Sequence, residues 1–384
     1  MMITLITALT LGQFCPSYTL SSPNNNANCG VEAANGTNPS VTQWQGIFQL
    51  VAQGPSVWGT SGPSVPDIGQ GCGKPMPTVQ VPAKFPCELL KAIAMQESGW
   101  RQFCVPTTPA DQVGGASRTI ISFDCGYGIG QVTSGMHTGE APNFDRARVA
   151  NDPTYNLATG TRILGDKWRA TRCVGDNQPS IIEHWYSATW AYNGLSYSNN
   201  PNNPNFSTTR GVYNPSAGGA APYQEKVLGW MQYPTGGRWT SVGVAYPRLA
   251  DIGTTGSPNT LPDPTCGTPT SCATTRMTHV SSCFQMDAGT TGGGAGGGGG
   301  GAGGGAGGGA GGGGSSMPPD SGTGGGGGST DAGVDGGVDG GDPAPVVVSI
   351  VPLTLGRASG CGCDAAPSLF ALISLAALLR RRRP

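Results

Sequence analysis

The chain is short of charge, of histidine and of basic residues near its start. Only 11% of its 384 residues are charged, three are histidines, and no Lys or Arg precedes Lys74. Residues 1–287 contain 16 basic and 16 acidic residues, so they offer no basic surface that could neutralise phosphates. This balance excludes nucleic acid as an expected partner.

Metal-binding patterns are also missing. The histidines at 137, 184 and 279 lie far apart, and neither H-E-x-x-H nor C-x-x-C occurs anywhere in the chain. We therefore expect no metal site and no cofactor. Twelve cysteines without such a motif indicate disulfides formed in an oxidising compartment, which favours an exported protein.

Aromatic and basic residues are absent from one long segment. Residues 289–341 hold 31 of the 66 glycines and no aromatic residue, Lys or Arg, so they cannot bury a core and predict a disordered linker. All eight tryptophans precede it. The sequence predicts the following divisions: a clipped signal segment at 1–20, an extension at 21–83, a catalytic domain at 84–235, a Cys-containing extension at 236–287, a Gly/Asp-rich linker at 288–345 and a C-terminal segment at 346–384.

Both ends of the chain resemble targeting signals. The apolar start to Leu11 resembles a signal peptide that lacks its basic region, although it could also be an apolar beginning to the domain. Near the other end, Cys361 and Cys363 precede a short apolar run and Arg380–Arg383. This arrangement resembles the C-terminal sorting signal of myxobacterial surface proteins, which implies the cell surface or outer membrane. A single-span membrane anchor is the alternative.

Helices joined by long loops are predicted between Lys84 and Met231. Pro86 and Glu88 mark a helix start, and Glu97 falls on the same face as the apolar residues before it. A carboxyl there would lose hydration, and its pKa would rise toward the range useful for donating a proton at neutral pH. The alternative is a surface glutamate at a frayed helix end.

Three further elements follow. Residues 126–133 are too glycine-rich for a helix and predict a loop, and Pro153 marks the start of a second helix. The sequence Ser180-Ile181-Ile182-Glu183 predicts a capping box that opens a third helix, and Gly194 predicts its end. Tyr192 would then face either the core or a cleft. A fourth helix is predicted from Pro222.

The order of these pieces resembles the soluble lytic transglycosylases, which share a goose-type lysozyme-like fold. The similar motifs cover about 150 residues; they are Gln96-Glu97-Ser98-Gly99-Trp100, Gly128-Ile129-Gly130-Gln131, Asn156–Gly160, Ala191-Tyr192-Asn193-Gly194 and Tyr223–Leu228. The chain departs from the family in having Gly130 before Gln131 and Gly194 directly after Asn193. The resemblance implies a mainly α, lysozyme-like α+β catalytic domain with long disulfide-stapled loops. The composition of the rest of the chain predicts the disordered tail that follows it and a short C-terminal apolar helix.

The resemblance also implies an activity and a set of site residues. Glu97 would be the catalytic acid, and Ser98, Gln131, Tyr192, Asn193 and Tyr223 would bind the substrate. The reaction would cleave the MurNAc–GlcNAc bond of peptidoglycan and leave 1,6-anhydro-MurNAc ends. We expect the protein to be a monomer, and its C-terminal segment predicts a contact with a membrane.

Two other functions fit the same sequence. A lysozyme-type hydrolase would use Asp111 or Asp124 as a second carboxylate, and a surface glycan-binding protein would keep the fold without turnover. The loop between Glu97 and Gln131 is longer than the family usually shows. Its cysteines, Cys104 and Cys125, predict a disulfide that closes it.

Overall fold

The computed structural model describes residues 14–16, 19, 28–66, 68, 83–107 and 117–285. The predicted signal segment lies largely outside these residues, and the Gly-rich linker and the C-terminal segment lie wholly outside them. The described part is mainly helical, with a single two-stranded antiparallel sheet. Its elements are α1 (Val41–Ala52), α2 (Pro55–Trp58), α3 (Cys87–Ser98), β1 (Phe103–Cys104), β2 (Arg118–Thr119), α4 (Arg146–Asn151), α5 (Pro153–Ala170), α6 (Tyr186–Tyr192), α7 (Tyr223–Gln232), α8 (Leu249–Ile252) and α9 (Ser282–Gln285).

Helix α3 begins where its sequence predicts. Pro86 is the residue before its first turn, Glu88 lies in that turn, and Gly99 ends the helix with a left-handed φ of 63°. Most of its residues are buried, including Leu89 and Ala92 at 0% exposure. The helix therefore crosses the core and brings its last turn, which contains Glu97, back toward the surface.

Helix α5 also begins where predicted. The Asp152 carboxylate accepts hydrogen bonds from the backbone N–H groups of Thr154 and Tyr155, and Pro153 occupies the first helical position. Gly160 allows a close approach, because a Cβ atom there would lie 2.8 Å from the Tyr192 hydroxyl. The absence of a side chain at Gly160 thus makes room for the end of α6.

The predicted start of the third helix is wrong. A 3₁₀ turn spans Ile182–Trp185 before α6, and no side chain caps it. The buried carboxylate of Glu183 instead accepts hydrogen bonds from the backbone N–H groups of Ala245, at 3.0 Å, and His279, at 2.8 Å. These distant donors displace the local capping box with Ser180. The predicted end is confirmed, since Gly194 has a φ of 87°.

One apolar core joins the central helices to both flanking regions. Trp44 and Phe48 of α1 are buried in the same cluster as residues of α3, α5, α6 and α7. Val244 and Tyr246, from the extension after residue 236, belong to it as well. The sequence did not decide whether the two extensions pack on the domain. In the structure they do, and they complete the core that holds α3 in place.

The disulfides differ from the predicted Cys104–Cys125 pair. Cys104 is bonded to Cys15 and Cys125 to Cys29, so the two cysteines of the inserted loop each tie a different part of the N-terminal segment to the domain. That segment runs beside the loop and forms bridges to it at Val105 and Arg118. Two more bonds join Cys87 to Cys283 and Cys266 to Cys272, and Cys173 is also disulfide-bonded.

Several disulfides in one domain indicate folding in an oxidising, extracellular environment. A search of the described residues for a helix long and apolar enough to cross a membrane finds none.

Candidate functional site

The candidate site is built around Glu97 in the last turn of α3. Glu97 as a residue is partly exposed, and its Oε1 accepts a hydrogen bond from the hydroxyl of Tyr223, the first residue of α7. Helices α3 and α7 pack along each other, and Trp230 Nε1 donates to Gln96 Oε1 at 3.0 Å. This packing fixes the position of Tyr223 relative to the acid.

The surroundings of Glu97 favour its protonated form. Its pKa is raised from 4.5 to about 7, first by burial and less by the negative charge of Asp124, against the opposing effect of the hydrogen bond from Tyr223. Asp124 lies in the turn that closes the inserted loop, where Ser122 donates to Asp124 Oδ1 at 2.5 Å. Glu97 can therefore donate a proton near neutral pH.

The glycine-rich loop 126–133 lies beside the acid and is firmly attached. Ser98, directly after Glu97, is buried, and its hydroxyl lies 3.0 Å from the carbonyl oxygen of Ile129. The side chain of the buried Gln102 accepts from the Ile129 N–H at 2.9 Å, and Asn156 Oδ1 accepts from the Gly130 N–H at 2.9 Å. Ser98 thus lies behind the acid and holds the loop against α3.

Gln131, the predicted substrate-binding amide, stands at the end of this loop. Its φ of 44° is a left-handed conformation that is uncommon for a residue with a side chain. The side-chain Nε2 donates to the Gly128 carbonyl at 2.8 Å, and the residue is partly exposed. A Cβ atom at Gly126 would lie 3.0 Å from Gln131 Oε1, so Gly126 leaves space for the amide.

Tyr192 and Asn193 approach the loop from the end of α6. The Tyr192 hydroxyl donates to the Gly130 carbonyl at 2.7 Å, and its pKa is raised by burial and then by the charge of Glu97. Asn193 Oδ1 accepts from Asn199 Nδ2 at 3.0 Å. The structure therefore brings Tyr192 close to the acid and to the loop together.

The site residues predicted from the sequence lie together around Glu97 and the loop 126–133. The structure gives two of them different contacts, although the sequence predicted substrate binding for both. Tyr223 is a direct hydrogen-bond partner of Glu97, and Ser98 supports the loop from behind. Asn156, which belongs to one of the similar motifs, holds the loop through Gly130 and through Tyr127, whose carbonyl accepts from Asn156 Nδ2 at 2.8 Å. Its inclusion in the third of the similar motifs was the available signal for this role.

One cluster among the described residues has the composition of a metal site. Asp176, His184 and Asp263 bring one ligand atom each to within 4.8 Å of one another. The Gln178 N–H donates to His184 Nδ1 at 2.8 Å, so Nδ1 carries a lone pair and Nε2 carries the proton that faces Asp263 at 2.9 Å. The cluster is thus explained as a hydrogen-bonded network that joins Asp263 to the core.

Comparisons with known proteins add no family assignment. No family model, curated protein or solved structure matches the chain.

Proposed function

We propose that this chain is a peptidoglycan lytic transglycosylase that cleaves the bond between MurNAc and GlcNAc and forms 1,6-anhydro-MurNAc ends. The observation that carries the proposal is the state of Glu97. A carboxyl whose pKa burial raises to about 7, on a partly exposed residue and hydrogen-bonded by Tyr223 beside the loop 126–133, has the properties of an acid that donates a proton and later accepts one.

In the first step, protonated Glu97 donates its proton to the glycosidic oxygen. The bond between that oxygen and C1 of MurNAc breaks, and GlcNAc leaves with a new hydroxyl group. The acetamido group of the substrate stabilises the positive charge that develops at C1, so a second protein carboxylate is not needed at this stage. The Tyr223 hydroxyl stabilises the carboxylate that Glu97 becomes.

In the second step, ionised Glu97 accepts the proton of the C6 hydroxyl of MurNAc. The freed oxygen forms a bond to C1, which closes the anhydro ring and restores protonated Glu97. No water is consumed. Gln131 and Asn193 are both partly exposed, and in this proposal their amide groups hold the sugar during both steps.

Digestion of purified peptidoglycan with the described domain tests this proposal. Mass analysis should find muropeptides that are lighter by one water molecule than the hydrolytic products, and Glu97→Gln should release none. Intact glycan strands after prolonged incubation with the unaltered protein would contradict the assignment and would favour a surface protein that only binds glycan.

A lysozyme-type hydrolase is the second candidate, and the position of Asp124 favours it. The charge of Asp124 acts on Glu97, and in a hydrolase this second carboxylate would hold the attacking water. Asp111, the other carboxylate considered, lies outside the described residues. Digestion in ¹⁸O-labelled water separates the two reactions, because hydrolysis places the label at the new reducing end and the transglycosylase reaction incorporates none.

The cellular setting follows from the same proposal. The disulfides indicate an oxidising environment, and we propose that the protein is exported to the cell surface, where peptidoglycan strands are its partner and its C-terminal segment sorts or anchors it. Fractionation of cells that express the complete chain, followed by detection of the domain in the surface fraction, tests this setting.

A further inference from the structure

A second cleft lies between the start of α1 and the end of α3. Its volume is about 400 Å³, and none of the residues that line it is acidic. They are Pro39, Val41, Trp44, Gly99, Trp100, Arg101 and Arg238. None of them was assigned to the acid site.

Two guanidinium groups give this cleft a positive charge. Arg238 donates only weakly placed hydrogen bonds to Thr235, at 3.2 and 3.3 Å, and its buried Nε has no partner among the described residues. Arg101 donates to the Ser98 carbonyl at 2.9 Å and to the Phe14 carbonyl at 3.0 Å. Arg238 is partly buried, and no acidic residue lines the cleft to neutralise its guanidinium. Such a guanidinium favours the binding of an anion.

The start of α1 also contributes positive charge to the cleft. Ser40 caps this 12-residue helix, and its first turn contains no acidic residue. The positive end of the helix therefore lies at Pro39 and Val41, on the wall of the cleft. Helix and arginines together favour an anionic ligand.

An aromatic wall completes the cleft. Trp100 is only 3% exposed, with a φ of 62°, and its ring stacks on Trp239 at 5.3 Å between centroids. The Arg238 guanidinium lies 5.8 Å from the centre of the Trp100 ring. The indole N–H of Trp44, a residue that is 2% exposed, has no partner among the described residues. A strained backbone that persists in such packing is typical of a functional site.

We propose that this cleft binds a carboxylate carried on a short aliphatic chain. The guanidinium of Arg238 is the donor for the carboxylate, and Pro39 and Val41 contact the aliphatic part. An acidic peptide has this chemistry. The peptide attached to the glycan strand is the source we expect, and this choice of source rests on the proposed function, whereas the binding chemistry does not.

Titration with the tetrapeptide stem of peptidoglycan, followed by tryptophan fluorescence, measures the binding without any bond cleavage. Arg238→Gln should raise Kd at least about tenfold, because a charge-assisted hydrogen bond is lost. The matched control is Arg248→Gln, which removes an arginine that is paired with Asp251 elsewhere on the surface and should leave Kd unchanged. Equal affinity of both variants would overturn the proposal.

A second pair of variants tests the same site without removing an arginine. Val41 is 44% exposed, so Val41→Glu should fold and should place a competing carboxylate at the mouth of the cleft. We expect it to weaken peptide binding by a similar factor. Val57→Glu, at a position that is 54% exposed on α2, is the control and should bind normally. Unchanged binding by Val41→Glu would contradict the site.

The source of the carboxylate is decided by two further ligands. A stem peptide with its carboxyl groups amidated should not bind, and its binding would overturn the carboxylate chemistry. An unrelated peptide with the same number of carboxylates should bind at least about tenfold more weakly than the stem peptide. Equal binding would overturn the cell-wall source. A protein that binds the stem peptide but does not cleave glycan would contradict the proposed function alone.

Discussion

The two ends of α3 each carry a glutamate, and their surroundings act on them in opposite directions. Glu88, in the first turn, is 7% exposed, and burial by itself would raise its pKa. Hydrogen bonds from Ser281 and Ser282 outweigh burial and leave the pKa below its ordinary value. Glu97, in the last turn, accepts a hydrogen bond from Tyr223 and has a pKa of about 7.

This difference teaches that burial alone does not make a catalytic acid. Donors from Ser281 and Ser282, at the start of α9, make Glu88 a stable structural carboxylate, whereas at Glu97 burial and the charge of Asp124 together outweigh one hydroxyl. The helix dipole acts in the same sense, because it favours a negative charge at the start of a helix and disfavours one at its end. The glutamate at the start of α3 therefore stabilises the fold, and the glutamate at its end is suited to proton transfer.

The largest expected effect comes from removing the acid itself. Glu97→Gln keeps the shape of the side chain but has no proton to donate, so muropeptide release should fall by at least about 10³-fold. The rate is measured by mass analysis of digested peptidoglycan. Glu88→Gln is the control at the other end of α3, and its activity per folded molecule should be close to that of the unaltered protein. Equal losses in both variants would remove the distinction between the two glutamates.

The second prediction concerns stability. The Glu88 carboxylate accepts three hydrogen bonds from Ser281 and Ser282. In Glu88→Gln the amide N–H group would face some of these donors and could not accept from them. The substitution should therefore lower the free energy of unfolding by about 2–3 kcal/mol at pH 7. Urea unfolding measures it. Glu140→Gln, at an exposed position, should change stability by less than about 0.5 kcal/mol.

The pH dependence of that loss has a definite sign. Because the folded pKa of Glu88 is lowered, its contribution is present above the unfolded value of 4.5 and is lost as the pH falls through the folded value. The gap between Glu88→Gln and the unaltered protein should therefore shrink in acid. A gap that is constant with pH would indicate that the carboxylate is not the stabilising species.

Much of this arrangement could be predicted from the sequence where the determining residues are close together. Pro86 and Gly99 bound α3, and Asp152 with Pro153 begins α5, because caps and turns depend on the next few residues. The apolar stripe also placed Glu97 on the inner face of its helix.

Contacts between distant residues could not be predicted in the same way. Glu183 has the spacing of a capping box, yet its donors are the N–H groups of Ala245 and His279, 62 and 96 residues away. Cys104 and Cys125 are bonded to Cys15 and Cys29, because the N-terminal segment runs beside the inserted loop. No local pattern records that path.

The third prediction separates the two groups that act on Glu97. Tyr223→Phe removes a donor to the carboxylate, so the pKa of Glu97 should rise above about 7 and the loss of activity at alkaline pH should begin at a higher pH. Asp124→Asn removes a negative charge, so the same limb should move to a lower pH. At a fixed pH near 8, each change should alter the rate by less than about tenfold.

The pH profile of kcat/KM measures both shifts. Phe123→Leu, at an exposed position next to Asp124, is the control for disturbance of the turn and should leave the profile in place. Shifts of the two variants in the same direction would show that the electrostatic account of Glu97 is wrong. If Asp124→Asn abolished turnover at every pH, the result would instead favour the lysozyme-type hydrolase.

The smallest expected effect is a gain in stability where the acid is lost. Because the pKa of Glu97 rises from 4.5 to about 7 on folding, the folded state loses stability as the pH increases from 4.5 to 7, and the cost stays constant above that. Glu97→Gln removes this cost. Allowing for the partial exposure of the side chain, the variant should be more stable by about 1 kcal/mol at pH 8 and equally stable near pH 4. Urea unfolding at the two pH values measures the difference.

Glu88→Gln is the control at the other end of α3. Its stability should change with the opposite sign at pH 8, because the Glu88 carboxylate stabilises the fold when ionised. A loss of stability in Glu97→Gln at pH 8 would mean that the ionised Glu97 is satisfied in the fold, and the contrast between the two ends of α3 would no longer account for a proton donor at only one of them.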